Sequence, residues 1–464
     1  MRVAAIDQGT TSTRCLVVED GGDWRIAGSR THRQIHPAPG WVEHDPVELL
    51  AAIRDLVRDA GSVDAIALAN QGESCLAWDS LTGQPLTNVI VWQDNRTAAE
   101  LLVLPARAAV LSRQICGLPL DPYFSASKLG WLLRNVPAVA KARSVDRLRL
   151  GTTDAFFLDR LCGRFATDLA TASRTGLLDL DAGSWSPELC ALYGVPVSCL
   201  PDIVPVDGCF GEIEGTPVLA SITDQQAALY GHGCREAGDC KITFGTGAFL
   251  LALSGAQRPE TGGLLPTVAW HRRVEPPVFA IEAGVYDAGA AVEWCRSLGL
   301  FADMGELNQF EGPTAISRGV VFVPALSGLG APYWDRDAAP IFIGMDHSTS
   351  PRDLVRAVLE GIAMLTARLV ADVARILPVG DAISIDGGLS QSAYFAQFLA
   401  SACGRTIDVA PMPELTALGL AELCGIDVHA ARIGGTRYAA DQTVTPSDHT
   451  RFAEALRRSA AWRT

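Results

Sequence analysis

The chain of 464 residues is 48% hydrophobic with a mean hydropathy of +0.19, which excludes a disordered chain and is too long for one core, so two large or three small domains are expected. Acids outnumber bases 52 to 38, a net charge of −14 with an isoelectric point near 5.0, which argues against a nucleic-acid or anionic-membrane partner. No run of about 18 uncharged apolar residues occurs, and no basic, apolar and small-residue leader precedes the strand at residue 3, so neither a spanning helix nor a secretion signal is expected.

The first strand, Val3 to Ile6, delivers Asp7 to its end, and Gly9 allows a tight turn followed by Thr10, Thr11, Ser12, Thr13 and Arg14. An acid, hydroxyls and a cation around one glycine suit a phosphate and metal site, although an ordinary hairpin turn would use the same residues. The alternation continues to about Arg30 through Gly21-Gly22 as a small antiparallel meander. Asp45 then caps a helix from Pro46 to about Ala60. Strands at Asp64 to Ala69 and Asn88 to Trp92 end on Asn70-Gln71-Gly72-Glu73 and Gln93-Asp94-Asn95-Arg96, polar groups at the strand ends where α/β proteins place ligands.

Residues 97 to 232 hold several helical stretches. Ser125 to Asn135 has Lys128, Trp131 and Leu132 at helical spacing, which makes Trp131 a core residue, whereas Tyr123 sits in a turn after Asp121-Pro122. Ser221 to Ala227 sets Asp224 at a strand-to-helix junction, and glycines at 231, 233 and 238 mark a domain change near 232 to 240. Lys241 to Gly247 then repeats the opening pattern of strand, Gly-Thr and turn, with Thr243 in the place of Asp7, as a duplicated unit or a chance glycine match would give. Ser384 to Gly388 is another strand ending on two glycines, followed by a helix from Tyr394 to Cys403, while a polar tail from about 426 ends in a basic helix, Arg451 to Arg463. The 12 Cys have no metal-ligand spacing and read as small hydrophobes in a reducing cytoplasm.

Three glycine turns at strand ends, two of them paired across a duplication, resemble the phosphate and adenosine layout of actin-like ATPases, and within them the FGGY carbohydrate kinases. Tyr123 to Asn135 fits one signature of that family, and Ile341 to Met345 with Asp353-Leu354 and Ala357 to Glu360 fits the second apart from Pro340. Asp7 to Thr11, Pro39 to Pro46, Val91 to Asp94, Asp121 to Ser125, Asp224 to Ala228 and Gly328 to Asp335 look most like its glycerol-kinase branch. The resemblance covers residue 3 to about 425.

It implies an α/β fold of two duplicated ribonuclease H-like (actin-like ATPase) domains around an active-site cleft, 1–232 for substrate and phosphate and 233–464 for nucleotide. The implied activity is ATP-dependent phosphorylation of a terminal hydroxyl of glycerol or a related small polyol or sugar, with Mg²⁺, in a cytoplasmic enzyme, and a homodimer or homotetramer is left open. A pentulose or ketose kinase of the same family and a non-catalytic sugar-binding regulator are the alternatives. Asp224 would be the general base and Asp7 the metal-directed acid. Thr10, Thr11, Arg14 and Thr246 would meet phosphates, and Gly289, Gly387 and Gly388 would bound the nucleotide. Glu293 and Ser392 replace an expected glutamine and asparagine beside it. Glu73, Trp92, Tyr123, Asp224, Gln225 and Phe249 match the polyol pocket, but an arginine is expected where Gly72 stands. The lost guanidinium leaves room for a longer polyol or a ketose, unless water or another side chain fills the gap and glycerol remains the substrate.

Overall fold

The computed structural model describes residues 1–463. Its first sheet is built on β1 (Arg2–Gln8), β2 (Ser12–Glu19) and β3 (Trp24–Thr31), the expected meander, joined by β4 (Ala65–Asn70), β5 (Glu212–Ile213) and β6 (Thr216–Thr223) in the order β5-β6-β4-β1-β2-β3. Every residue of β4 is buried, as an apolar run between parallel neighbours requires; β1 and β6 both pair with it in parallel. Helix α1 (Pro46–Ala60) begins where expected, because the Asp45 carboxylate accepts hydrogen bonds from the amides of Val47 and Glu48 and Pro46 takes the first helical position. Helices α2 (Ser125–Asn135) and α3 (Leu169–Ser173) precede β6, which runs straight into α4 (Asp224–Gly231).

The second sheet repeats this plan. The hairpin of β7 (Cys240–Phe244) and β8 (Ala248–Gly255) is followed by β9 (Leu265–Trp270), β10 (Val278–Val285) and α5 (Gly289–Ser297). Beyond α6 (Pro351–Ala374) lie β11 (Ala382–Gly387), α7 (Ala393–Cys403), β12 (Thr406–Val409), α8 (Leu415–Leu423), β13 (Thr436–Tyr438) and α9 (Pro446–Ser459). The strand order is β9-β10-β8-β7-β11-β12-β13. Five strands therefore correspond in order and sense, β6-β4-β1-β2-β3 with β12-β11-β7-β8-β10. Asp7 and Thr243 are each the penultimate residue of the leading strand, so the duplication expected from the glycine turns is present.

The helices α4 and α8, equivalent in the two repeats, cross between the sheets. A Cβ on Gly231 would lie 1.9 Å from the Leu415 carbonyl oxygen, and one on Gly419 would lie 2.0 Å from that of Ala227. Only glycine lets the two backbones approach this closely. Helix α8 packs on β1, β2, β4 and β6 of the first sheet, and α4 touches β8 and β9 of the second as well as β4 and β6. One buried cluster accordingly mixes Val3, Ala5 and Ile222 with Leu251, Leu253 and Leu418.

Two elements differ from expectation. The last helix starts five residues early and stops at Ser459, because Thr445 and Asp448 form a reciprocal capping box with Pro446 between them. Between Asn88 and Trp92 only Val89 and Ile90 are paired as strand.

Candidate active site

The carboxyl ends of β4 and β6 face the turn between β7 and β8 across a cavity of about 160 Å³. Asp224 enters it from the first residue of α4, its Oδ1 accepting from the amide of Gln225 at 2.6 Å. Burial and the charge of Asp7 raise the Asp224 carboxyl to about 7. The Gln225 side chain is held by Lys241, whose Nζ donates to Gln225 Oε1 at 2.6 Å and to Thr243 Oγ1 at 2.9 Å. Trp92, Tyr123 and Phe249 make an apolar wall, with ring centroids 5.7 Å apart for Trp92–Tyr123 and 6.2 Å for Trp92–Phe249. Trp92 Nε1 donates to Thr10 Oγ1 at 2.9 Å, fixing the first glycine turn against that wall.

Glu73 is buried and held in a left-handed backbone conformation, φ 58°, a strained choice for a side chain with a Cβ. Burial, with help from Glu282, keeps its carboxyl above the ordinary range against the pull of Arg174. Gly72, beside it, lines the cavity, and a Cβ there would stand 3.1 Å from Thr223 Cγ2. Glu73 meets a guanidinium from elsewhere in the chain. Arg174, just after α3, donates from Nε to Glu73 Oε1 at 2.7 Å and from Nη2 to Glu282 Oε1 at 2.8 Å.

Arg174, Glu282 and Lys241 are the site residues that sequence reasoning missed. The usable signal lay in Glu282 and Lys241, single charges inside otherwise apolar strands, where an unpaired charge would be costly. Arg174 follows a helix too short to be read from periodicity.

The nucleotide-directed residues divide. Thr246, Gly289, Glu293 and Gly388 line a separate groove of about 390 Å³, with Phe244, Val292, Met304 and Leu389 as its apolar floor. A Cβ on Gly289 would come within 2.5 Å of the Gly245 carbonyl oxygen, so α5 starts directly on the second glycine turn. Glu293 stands half exposed at the rim in an ion pair with Arg296. Gly387 and Ser392 do not line the groove. At Gly387 a Cβ would strike the Phe244 carbonyl oxygen at 2.3 Å, at a φ of +90°, so strand packing demands that glycine. The Ser392 hydroxyl caps α7 at the Phe395 amide and donates to the Leu307 carbonyl. Thr11 is exposed at its turn and lines neither cavity. Arg14 reaches across to Glu414, just ahead of α8, in an ion pair. Asp94 and Arg96 also stay out of the site, paired with each other at 2.7 Å, while Arg96 pairs with Glu43 and lies over Trp41 and Trp131.

Asp7, one residue before the end of β1, has its Oδ1 out of solvent and without a partner among the described residues. Burial lifts its carboxyl to about 6, with Arg14 opposing. Gly245 and Thr246 line both the polar cavity and the groove, so a single turn separates the two spaces.

Residues 2–231 match the model of the N-terminal domain of the FGGY family of carbohydrate kinases, and residues 240–428 match its C-terminal domain. The chain belongs to the FGGY carbohydrate kinases. It is 38% identical over an alignment of 484 positions to the glycerol kinase of Alkalilimnicola ehrlichii, covering 99% of this chain and 96% of that protein. With the glycerol kinase of Thermus brockianus it shares 40% over 450 residues, 93% and 90% of the two chains. Among solved structures, Plasmodium falciparum glycerol kinase with ADP superposes with a TM-score of 0.89 at 28% identity, over 99% of this chain and 98% of that one. A ligand-bound xylulose kinase from Lactobacillus acidophilus has a TM-score of 0.85 at 21% identity, a likeness of fold. The fold of this FGGY kinase is thus the duplicated α/β actin-like ATPase fold, and its activity is ATP-dependent phosphotransfer to an alcohol group. No helix among the described residues is long and apolar enough to cross a membrane.

Proposed function

We propose that the protein transfers the γ-phosphoryl group of ATP to a terminal hydroxyl of glycerol or a related small polyol or sugar, with Asp224 as general base. One observation supports this above the others. The Gly245-Thr246 turn is the common wall of a polar cavity containing Asp224 and a groove with an apolar floor. A nucleotide in the groove and an alcohol in the cavity would meet at that turn, and phosphoryl transfer asks of a protein mainly positioning and charge stabilisation. The bond from the γ-phosphorus to the bridging oxygen breaks, a bond to the alcohol oxygen forms, and the hydroxyl proton passes to Asp224. A carboxyl near 7 suits a base working at neutral pH.

Gln225, oriented by Lys241, and Glu73 would hold neighbouring hydroxyls, while Trp92, Tyr123 and Phe249 cover the carbon side of the substrate. Thr10, Thr246 and, once released from Glu414, Arg14 would face phosphate oxygens. The unpartnered Oδ1 of Asp7 fits Mg²⁺, an ion that takes one or two carboxylates alongside phosphate oxygens and water. Bound there, the ion would screen phosphate charge. We read 1–232 as the substrate and phosphate domain and 233–464 as the nucleotide domain, a division supported by the gap between the two family matches. Twelve cysteines without a disulfide support a cytoplasmic location.

The test is ADP release coupled to a polyol and sugar panel. Asp224→Asn should lower turnover by about 10²–10⁴ without lowering the melting temperature. Retained turnover would take the base role from Asp224, and a wild-type enzyme silent on every alcohol would sink the acceptor assignment.

A further inference from the structure

We infer that Thr171 of α3 is a positioning residue for the phosphoryl-transfer step. It draws the Thr223 hydroxyl away from the start of α4, which that hydroxyl would otherwise cap, and so leaves a first-turn amide to hold Asp224. The inference deepens the kinase reading above and rests on Asp224 as the base.

A threonine just ahead of a helix ordinarily turns its hydroxyl onto the amide of the second or third helical residue. Thr223 stands at that position with extended backbone, φ −62° and ψ 144°, yet its side chain accepts from no amide of α4 among the described residues. Its hydroxyl lies instead 2.8 Å from Thr171 Oγ1. Thr171 gives its own hydroxyl proton to Asp168 Oδ2, and its amide donates to Asp168 Oδ1 at 3.0 Å. Thr171 Oγ1 can therefore only accept, and Thr223 is the donor. Asp168, Thr171 and Thr223 are all buried, which keeps the chain of bonds out of reach of bulk solvent.

The diversion matters because of the amide it leaves open. Gln225 is the second residue of α4, and its amide donates to Asp224 Oδ1 at 2.6 Å. A Thr223 hydroxyl released from Thr171 would compete for that amide or for the one of Gln226. With Oδ1 fixed by the amide, Oδ2 is the oxygen left to take the proton. Without that bond the carboxylate is free to rotate, and small misplacements of a reacting group lower the rate steeply. Helix α3 steadies the same turn of α4 a second time. Ser173 Oγ lies 3.0 Å from Thr267 Oγ1 of β9, which also accepts from Gln226 Nε2 at 3.4 Å. One five-residue helix thus holds the start of α4 at Thr223 and, through Thr267, at Gln226, although neither Asp168 nor Thr171 lines the cavity.

The test is steady-state kinetics by coupled ADP release, on whichever of glycerol, erythritol, ribitol and xylulose the wild-type enzyme turns over fastest. Thr171→Val keeps the shape of the side chain and removes its hydroxyl; kcat should fall about tenfold to a hundredfold, with KM for ATP and for the acceptor changed by less than about threefold. Adding Thr223→Val removes the hydroxyl that would move onto α4, so the double variant should be faster than Thr171→Val by about fivefold or more. Thr171→Ser, which keeps the hydroxyl, should run close to the wild-type rate. A purely structural role predicts the opposite order, since the double variant loses two buried hydroxyls instead of one. If the valine variant does not fold, Thr171→Ala with and without Thr223→Val gives the same comparison. An unchanged kcat in a folded Thr171 variant, or a double variant no faster than the single one, would overturn the inference and leave Asp224 as the base. Full turnover in Asp224→Asn, or a wild-type enzyme silent on all four compounds, would overturn the base role and the inference with it.

Discussion

Asp7 holds a buried carboxylate oxygen that no group among the described residues satisfies, which makes it a stability liability as well as a metal candidate. Its carboxyl lies at about 6 in the folded protein against 3.8 as a free group. A raised carboxyl contributes stability in its protonated form; that contribution is complete below pH 3.8 and is lost as the pH rises through about 6. At pH 7.5 the ligand-free protein therefore holds an unanswered charge, and Asp7→Asn, the same shape without the charge, should stabilise it by about 1–3 kcal/mol. At pH 5, where the folded group is mostly protonated but the unfolded one is still charged, the gain should fall to about half, and turnover should be lost at both. Equal melting shifts at the two pH values would show that the charge is already answered. At this scale the sequence was legible where a residue's role is local. Asp224 is set by a strand-to-helix turn readable within a few residues, and Asp7 by the strand before it. Arg174 was not, since its partners Glu73 and Glu282 lie 101 and 108 positions away. Ser392 leaves two roles open, because a hydroxyl at a helix start caps the helix, as it does here at the Phe395 amide, as readily as it meets a ligand.

Among the elements, α2 carries more of the site than its surface suggests. Lys128 is fully buried, and its Nζ donates to the carbonyls of Val91, Trp92 and Tyr123 at 3.0–3.2 Å. One ammonium thus ties both loops that bring aromatic rings to the cavity. Arg336 secures the same region from the other repeat, donating to Asp121 at 2.6 Å, and Asp121 in turn accepts from the Tyr123 amide. Lys128→Met, which keeps the length but leaves three carbonyls without a donor, should cost about 3 kcal/mol in chemical denaturation and raise KM for the acceptor at least tenfold. An unchanged KM in a destabilised variant would mean that the loops hold their shape alone. The periodicity of Ser125 to Asn135 gave the helix its observed limits, but no helical pattern says that a lysine points inward to the carbonyls of distant loops. The start of α9 failed for a different reason, because the Thr445 and Asp448 box outweighs the basic run that marked only its last turns.

At the scale of the whole molecule, the duplication was legible from two glycine turns because each must accept a tight bend at the same point of a strand pair. What the turns could not convey is that the repeats share a core. Since α8 covers β1, β2 and β4 of the first sheet, and α4 reaches β8 and β9 of the second, neither repeat closes its own apolar face. Expressed alone, 1–232 should aggregate, and co-expressed with 233–464 it should be recovered as a soluble pair; a cooperative melt from 1–232 by itself would refute this. The Gly245-Thr246 turn has a further consequence. Because one stretch of backbone is in touch with both spaces, whatever occupies one alters the free energy of filling the other. Linkage makes such an effect mutual: if the acceptor tightens ADP by some factor, ADP must tighten the acceptor by the same one. Titration calorimetry of each ligand with and without the other should give matching factors of about fivefold or more, and a factor of one would mean that the turn stands rigid between two independent sites.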